Sequence, residues 1–228
     1  MNILTTLLSL FFPDCCFICD NTLVEGEKYI CTSCRLKLPV TGYSTQLENN
    51  AADRFKGKIP YSKVASFLYY NKGGIAQKII AHIKYKGHAG FGIFMGELMA
   101  RNFSDSFFED IDIIIPIPLH PKKLRKRGYN QAEEIAKGIS LVTHIPTHTE
   151  WVLRKTQTNT QTQKGRYARW LNTIDVFEAK TIPNLKNKHI LIIDDVLTTG
   201  ATIESCAEAI LKHYPEIKIS ILTLAVTE

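Results

Sequence analysis

Long hydrophobic runs are missing from this chain. The apolar opening, Met1 to Pro13 (MNILTTLLSLFFP), is too short to cross a bilayer. It also lacks a basic segment beyond the terminus and a small-x-small cleavage pattern, so a secretory signal is not expected. Leu4, Leu7, Leu8 and Phe11 share a helical face, which predicts a docking helix, with weak membrane contact as the alternative. No other stretch is long and apolar enough for a transmembrane helix, and a cytosolic protein is expected. There is no internal repeat, which sets aside a repeat architecture. Charge of either sign is not extreme. The net charge of +6 favours phosphates, nucleic acid or an acidic surface as partners, and part of it is local. What remains is an ordinary globular composition, 45% hydrophobic and 22% charged, long enough for one domain plus a small module.

Cysteine is nearly absent outside one short stretch: five of the six lie between residues 15 and 34. Cys16-Phe-Ile-Cys19 and Cys31-Thr-Ser-Cys34 form two CxxC knuckles separated by eleven residues. Each can present two thiolates to one tetrahedral ion, and a four-thiolate set suits zinc. A segment this small cannot bury its own core, so the metal would supply folding energy. A disulfide pair or redox site is the alternative, and it needs an oxidising compartment that nothing in the chain indicates. Cys15 is a surplus thiol that could exchange with Cys16. Cys206 falls on the apolar face of a predicted helix and reads as a core thiol.

The most informative stretch is His189 to Thr202, HILIIDDVLTTGAT. Ile190 to Ile193 is the short apolar run of a fully buried strand. Asp194 and Asp195 stand at its carboxyl end, followed by the turn Thr198, Thr199, Gly200, Ala201, Thr202. A helix begins there, with Ile203, Cys206, Ala207, Ile210 and Leu211 on one face. Ligands of open α/β sheets bind outside the carboxyl ends of strands. Hydroxyls and backbone amides of a turn that opens a helix attract an anion, and Gly200 permits close approach or positive φ. The turn has no lysine, which excludes the GxxxxGK(S/T) loop and favours a monophosphate over a nucleoside triphosphate. Paired carboxylates accept hydrogen bonds from vicinal hydroxyls. Strand side chains alternate, so both acids reach one sugar only if the chain turns there. The ligand implied is a ribose 5-phosphate; the plain alternative is a solvated acidic pair.

The rest of the chain supplies a frame. Residues 42–60 are polar and read as a linker, and the larger domain starts near Tyr61. Val64 to Tyr70 predicts a strand. Ile75, Ile79, Ile80 and Ile83 predict a helix closed by Lys84, Lys86 and His88. Phe91, Phe94, Met95, Leu98 and Met99 predict a second. Asp112 to Pro118 is a buried strand that runs into a basic loop, where all of Lys122 to Arg127 but Leu124 are cationic. Such a loop holds a pyrophosphate, contacts nucleic acid, or is simply solvated. Asn130 leads into a helix with Ala132, Ile135, Ala136 and Ile139 inward. A long polar stretch after Leu153 predicts a lid or disorder. Ile217 to Val226 completes the sheet. The order β-α-α-β-α-β-loop-β-α-β implies α/β architecture with a mostly parallel sheet.

On these residues IIDDVLTTGAT resembles the phosphoribosyl-pyrophosphate motif of type I phosphoribosyltransferases. The whole chain resembles ComF-type proteins, a small cysteine module followed by that domain. The likeness is most specific at residues 16–34, 116–131, 154–177 and 190–202. It implies a type I phosphoribosyltransferase fold, helices on both faces of the sheet, with a zinc-ribbon-like N-terminal module. The expected divisions are 1–41, a linker at 42–60, and 61–228. It further implies structural zinc on Cys16, Cys19, Cys31 and Cys34, favouring Cys16 over Cys15. Phosphoribosyl pyrophosphate, with Mg²⁺, would sit on Asp194, Asp195, Thr198, Thr199, Gly200, Ala201 and Thr202. The family pattern PxPxH then RGxNQ matches Pro116, Pro118, His120, Arg127, Gly128, Asn130 and Gln131. It points Arg127 and Asn130 toward ligand.

Arg154, Thr158, Gln161, Arg169, Asn172 and Phe177 match the family's flexible loop, and Arg127 and Arg169 are the expected catalytic residues. Thr156 stands where a second arginine is common. Residue 2 is asparagine where the amidotransferase variant has cysteine, so that activity is not expected. The family is associated with DNA uptake in natural transformation, which implies single-stranded DNA and uptake-machinery proteins as partners. Two alternatives are a salvage phosphoribosyltransferase and a zinc-dependent nucleic-acid adaptor with a vestigial ligand site. No residue identifies the acceptor.

Overall fold

The computed structural model describes residues 13–43, 48–85, 87–155, 176–181 and 185–227. Its centre is a four-stranded, wholly parallel sheet in the order β1-β6-β5-β2. These strands are β1 (Val64–Tyr70), β2 (Ile113–Pro116), β5 (His189–Leu197) and β6 (Lys218–Thr227). A separate antiparallel ribbon pairs β3 (Val152–Arg154) with β4 (Phe177–Ala179). Ile190–Ile193 and Ile219–Val226 are buried at every position. Successive strand residues point to opposite faces, so both faces of the central strands are covered, and their Ile- and Leu-rich runs are what such coverage selects.

The helices are α1 (Thr32–Leu36), α2 (Asn50–Asp53), α3 (Ile75–Tyr85), α4 (Ala89–Asn102), α5 (Asp105–Phe108), α6 (Pro121–Arg127), α7 (Gln131–Thr143) and α8 (Ala201–Leu211). Helix α7 packs on β2 and β5, α4 lies against α7, α3 rests on β1 and α4, and α8 on β5 and β4. The α4–α7 contact is backbone to backbone. A Cβ at Gly96 would strike the Ile135 carbonyl, and one at Gly138 the Ile93 carbonyl.

Several expectations need correction. The stretch 42–60 is not an extended linker throughout. Asn49 caps α2, its Oδ1 accepting from the Ala51 and Ala52 amides at 3.0 Å, and its Nδ2 donates to the Val64 carbonyl. Ala51, Ala52 and Phe55 are wholly buried, so this polar-looking segment is part of the core. The basic loop at Lys122–Arg127 is helix α6. His120 caps it, Pro121 opens it, and Gly128 at φ 82 ends it. The strand expected before the long polar stretch is β3 of the ribbon, outside the main sheet, with β4 as a partner that three residues of sequence do not announce. Met1 to Phe12, and Thr158, Gln161, Arg169 and Asn172, lie outside the described residues. Among the described residues no helix is long and apolar enough to cross a membrane.

Candidate functional site

Parallel strands place all their carboxyl ends on one edge, and that edge is open. Pairing of β2 with β5 ends at Pro116 opposite Ile193, because Pro118 cannot extend the ladder. Strand β5 runs on to Leu197 beside β6. The acids therefore do not sit on a turn, as the sequence had required. They occupy a strand end projecting past its β2 neighbour, and both border a cleft of ≈ 550 Å³. The cleft is also bordered by Tyr85, Lys84, Lys123, Arg127, Asn130, Arg154, Thr198 and Thr202.

The two acids differ. Asp195 Oδ2 is 2.9 Å from Lys84 Nζ, and both side chains are mostly buried. Asp194 Oδ1 accepts the Asp195 amide at 2.8 Å. Burial, and then the Asp195 charge beside it, push the Asp194 carboxyl up to about 7 against the weaker pull of its amide partner, Lys84 and Arg154. A carboxylate held in this way gains from any ligand that brings hydroxyl donors or a cation.

Thr198, Thr199, Ala201 and Thr202 are exposed at the N-terminus of α8, whose first amides have no intrahelical acceptor. A small recess of ≈ 20 Å³ lies between these residues and Asp194. Gly200 has the positive φ expected of it, +84°, and a Cβ there would lie 3.0 Å from the Phe55 ring. Phe55 thus packs against this turn, and Lys58 of the same segment pairs with Glu204 of α8 at 3.3 Å. Neither support has a signal in the sequence beyond one aromatic in a polar stretch.

Opposite the acids stand cations from distant elements. Arg127 lies over the Tyr85 ring at 5.5 Å, and its guanidinium donates to Gln131 Oε1. Arg154, on β3, lies over Phe177 at 5.3 Å. Asn130 is committed locally: its Nδ2 donates to the Ile117 carbonyl at 2.9 Å and its Oδ1 caps α7, tying the end of β2 to that helix. His120 serves as a cap and does not border the cleft. Lys84 is the cation that sequence reading assigned no role. Its signal was the Lys84-Tyr85 pair at a helix end, which reads equally well as a response to the helix dipole.

The second site is the cysteine quartet. The sulfurs of Cys16, Cys19, Cys31 and Cys34 all lie within 4.8 Å of one another. Cys19 and Cys31 are 3.8 Å apart, which matches the edge of a tetrahedron with metal–sulfur bonds of about 2.3 Å. It is far beyond a disulfide bond, and all six cysteines are free. Burial disfavours the Cys16 thiolate, but the amides of Cys31, Cys19 and Ile18 outweigh it and bring the thiol down to about 7. Cys34 is pushed up by burial and by the neighbouring thiols. The donors fit one metal ion such as zinc. Cys16 is buried in the quartet, whereas Cys15 is exposed with its sulfur toward the Pro13 carbonyl, which separates the two thiols.

The topology and this edge define a phosphoribosyltransferase-type α/β protein. Residues 95–226 match the phosphoribosyl transferase domain, and the chain belongs to that family. Its relatives are narrower in kind. It is 24% identical over 92% of its length to Competence protein ComFC of Bacillus subtilis, covering 93% of that protein. It is 30% identical to DNA utilization protein YhgH of Escherichia coli, over 45% of this chain and 44% of that one. The same identity relates it to Competence protein F of Haemophilus influenzae, over 44% of each chain. The match to ComFC thus spans both parts of this chain, the cysteine module and the larger domain, whereas the other two span under half of it. Among solved structures, a glutamine phosphoribosylpyrophosphate amidotransferase from B. subtilis overlaps 63% of this chain and 30% of its own, at 14% identity and a TM-score of 0.43.

Proposed function

We propose that the cleft binds phosphoribosyl pyrophosphate or a related ribose 5-phosphate, and that the protein serves DNA uptake or use, as the names of its relatives suggest. The observation that carries the reading is convergence: two carboxylates, an exposed hydroxyl-rich helix N-terminus and the cations Lys84, Lys123, Arg127 and Arg154 share one cleft. In this reading the 5-phosphate lies on Thr198 to Thr202, where amides and dipole favour it. Asp194 and Asp195 take the ribose hydroxyls. Arg127 and its neighbours face the pyrophosphate. Mg²⁺, which the family resemblance implies, would neutralise charge between diol and pyrophosphate, and the two aspartates are the residues that fit it.

If transfer occurs, the C1–oxygen bond loosens toward an oxocarbenium-like state while pyrophosphate leaves with its electrons and an acceptor enters. The protein's share is positioning and charge stabilisation, by Arg127 and, as the family loop implies, Arg169. No nucleophilic side chain is needed. The quartet is proposed to hold zinc, and the divisions 1–41 and 61–228 are kept as proposed units.

The contact for single-stranded DNA falls to α6. Among the described residues no carboxylate pairs with Lys122, Lys123, Arg125 or Lys126. The exposed Tyr85 ring beside Arg127 offers a stacking platform. This surface favours a DNA-linked role over plain base salvage.

A thermal-shift titration with ribose 5-phosphate and phosphoribosyl pyrophosphate, each with Mg²⁺, tests the cleft. Stabilisation by both, abolished in the Asp194→Asn/Asp195→Asn protein, is the expected result; no shift with either ligand refutes it. Pyrophosphate release on adding a nucleobase would move the assignment to salvage. Single-stranded DNA binding that weakens steeply with salt would favour the DNA role.

A further inference from the structure

Helix α3 joins the two sites. Its sequence carries three stripes. Ile79 and Ile83 are buried in the core. Gln77, Ala81 and Lys84 border the cleft. Lys78 and His82 meet the first CxxC turn. The Lys78 ammonium donates to the Ile18 carbonyl at 2.7 Å. The His82 ring stacks on Phe17 with centroids 4.2 Å apart and planes 11° from parallel. Phe17 also meets Phe91 of α4 edge-on at 5.0 Å, so it wedges between the two helices. Phe17 and Ile18 are the two residues between Cys16 and Cys19. Their positions are therefore set by the sulfurs.

The far end of α3 is tied separately. The Tyr129 hydroxyl donates to the Ile83 carbonyl at 2.6 Å, one residue before Lys84. The helix is thus held at its cysteine-facing stripe by the module and near its end by α7's approach. Lys84 is aimed across the cleft at Asp195.

We infer that Phe17 and Lys78 are positioning residues for the ligand site: the metal-loaded knuckle clamps α3 so that Lys84 holds Asp195 in place for the ribose hydroxyls. The inference rests on the proposed ribose-phosphate site. The module buries few apolar side chains, chiefly Ile18 and Ile30, so its fold depends on the ion. Without the ion, four clustered thiols lose their common partner. The Phe17 stack and the Ile18 carbonyl then withdraw, and α3 keeps its core stripe, the Tyr129 tie and the Lys84–Asp195 pair. Coupling between binding sites is reciprocal, so ribose phosphate must raise metal affinity by the factor with which metal raises ligand affinity.

The test uses the full chain, loaded with zinc. Hydrogen exchange is followed at the amides of α3 before and after chelation, with those of α8 as internal reference. Faster exchange in α3 with α8 unchanged is expected; unchanged α3 exchange overturns the clamp. Ribose 5-phosphate affinity is then measured for Phe17→Leu, Lys78→Met and Lys78→Arg. The first two should weaken binding by about tenfold, within the usual range of such couplings, at unchanged zinc content and melting temperature. Lys78→Arg should restore it. Affinities equal to wild type in both weakened variants overturn the inference. A competition titration with a chromogenic chelator should show zinc held about tenfold more tightly when ribose 5-phosphate is present. If the wild-type protein binds no ribose 5-phosphate, the reading of the cleft falls, and the exchange experiment alone decides the clamp.

Discussion

The two ends of strand β5 each gather ionisable groups, and they treat them in opposite ways. At the amino end every group is answered. His189 Nδ1 donates to Asp110 at 3.1 Å, the Ser220 hydroxyl donates to Nε2 at 2.8 Å, and Ser220 in turn accepts the Lys63 amide at 3.2 Å. Asp112 takes the His189 amide and the Lys188 ammonium, each at 2.8 Å. The Ser–His–Asp order has the look of a hydrolytic triad, yet Ser220 is completely buried and does not border the cleft described above. At the carboxyl end two acids stand side by side on the cleft, and Lys84 pairs with Asp195. A network that satisfies itself serves stability, whereas one left short of donors is free to answer a ligand. The chemistry of the residues is similar; what differs is which partners the fold has already supplied.

That contrast can be tested at both ends. The largest effect belongs to Asp194→Asn/Asp195→Asn, which should lower ribose 5-phosphate affinity at least about a hundredfold by calorimetric titration, as loss of charged hydrogen bonds implies. Its melting temperature should not fall. Next comes His189→Ala, expected to destabilise by about 2–4 kcal/mol through lost hydrogen bonds and a cavity, with ligand affinity per folded molecule unchanged. Denaturant unfolding beside the same titration checks both halves. A smaller effect of opposite sign is expected for Asp194→Asn alone, a gain of about 0.5–2 kcal/mol at neutral pH, because a like-charge pair is relieved. If that variant is less stable than wild type, the idea of an unanswered end fails.

The pH dependence should be smaller still, and again of two signs. Burial, against the pull of Asp110, holds His189 below its ordinary 6.5, so the unfolded chain takes up a proton before the folded one does. Stability from that end is complete above 6.5 and declines as pH falls through the folded value. Asp110 and Asp112 lie below their ordinary 3.8 despite burial, held there chiefly by Lys63 and Lys188, and their contribution goes as pH falls through their folded values. Asp194 runs the other way. Its folded value of about 7 exceeds 3.8, so its contribution is full below 3.8 and is lost as pH rises through about 7. Wild type should therefore lose some stability between pH 6 and 8 that Asp194→Asn keeps, as unfolding curves at the two pH values will show (about a unit to either side of 7).

Legibility in the sequence followed contiguity. Asp194 to Thr202 could be read because one strand end, one turn and one helix start hold the whole group within a few residues, and local geometry determines which atoms face out. The cysteine quartet could be read for a related reason, since each knuckle is local and four soft donors have few uses. The helical stripes of α3, α4 and α7 were also plain from their period. The ribbon partner β4 was not, since three residues in a polar region carry no period to detect. Nor was Phe55, whose value lies entirely in what it touches.

Composition, spacing and period determined on their own that this chain is α/β, that it carries four clustered cysteines able to hold a metal, and that a hydroxyl-rich turn opening a helix follows a pair of acids. Each of those depends on neighbours along the backbone. The tertiary fold alone decided that Lys84 from α3, Arg127 from α6 and Arg154 from β3 share a cleft with those acids, that Cys15 is left out of the quartet, and that a polar stretch near residue 55 packs against the Gly200 turn. Such meetings are set by strand order and helix packing, which bring together residues whose separation along the chain has no fixed relation to their distance in space.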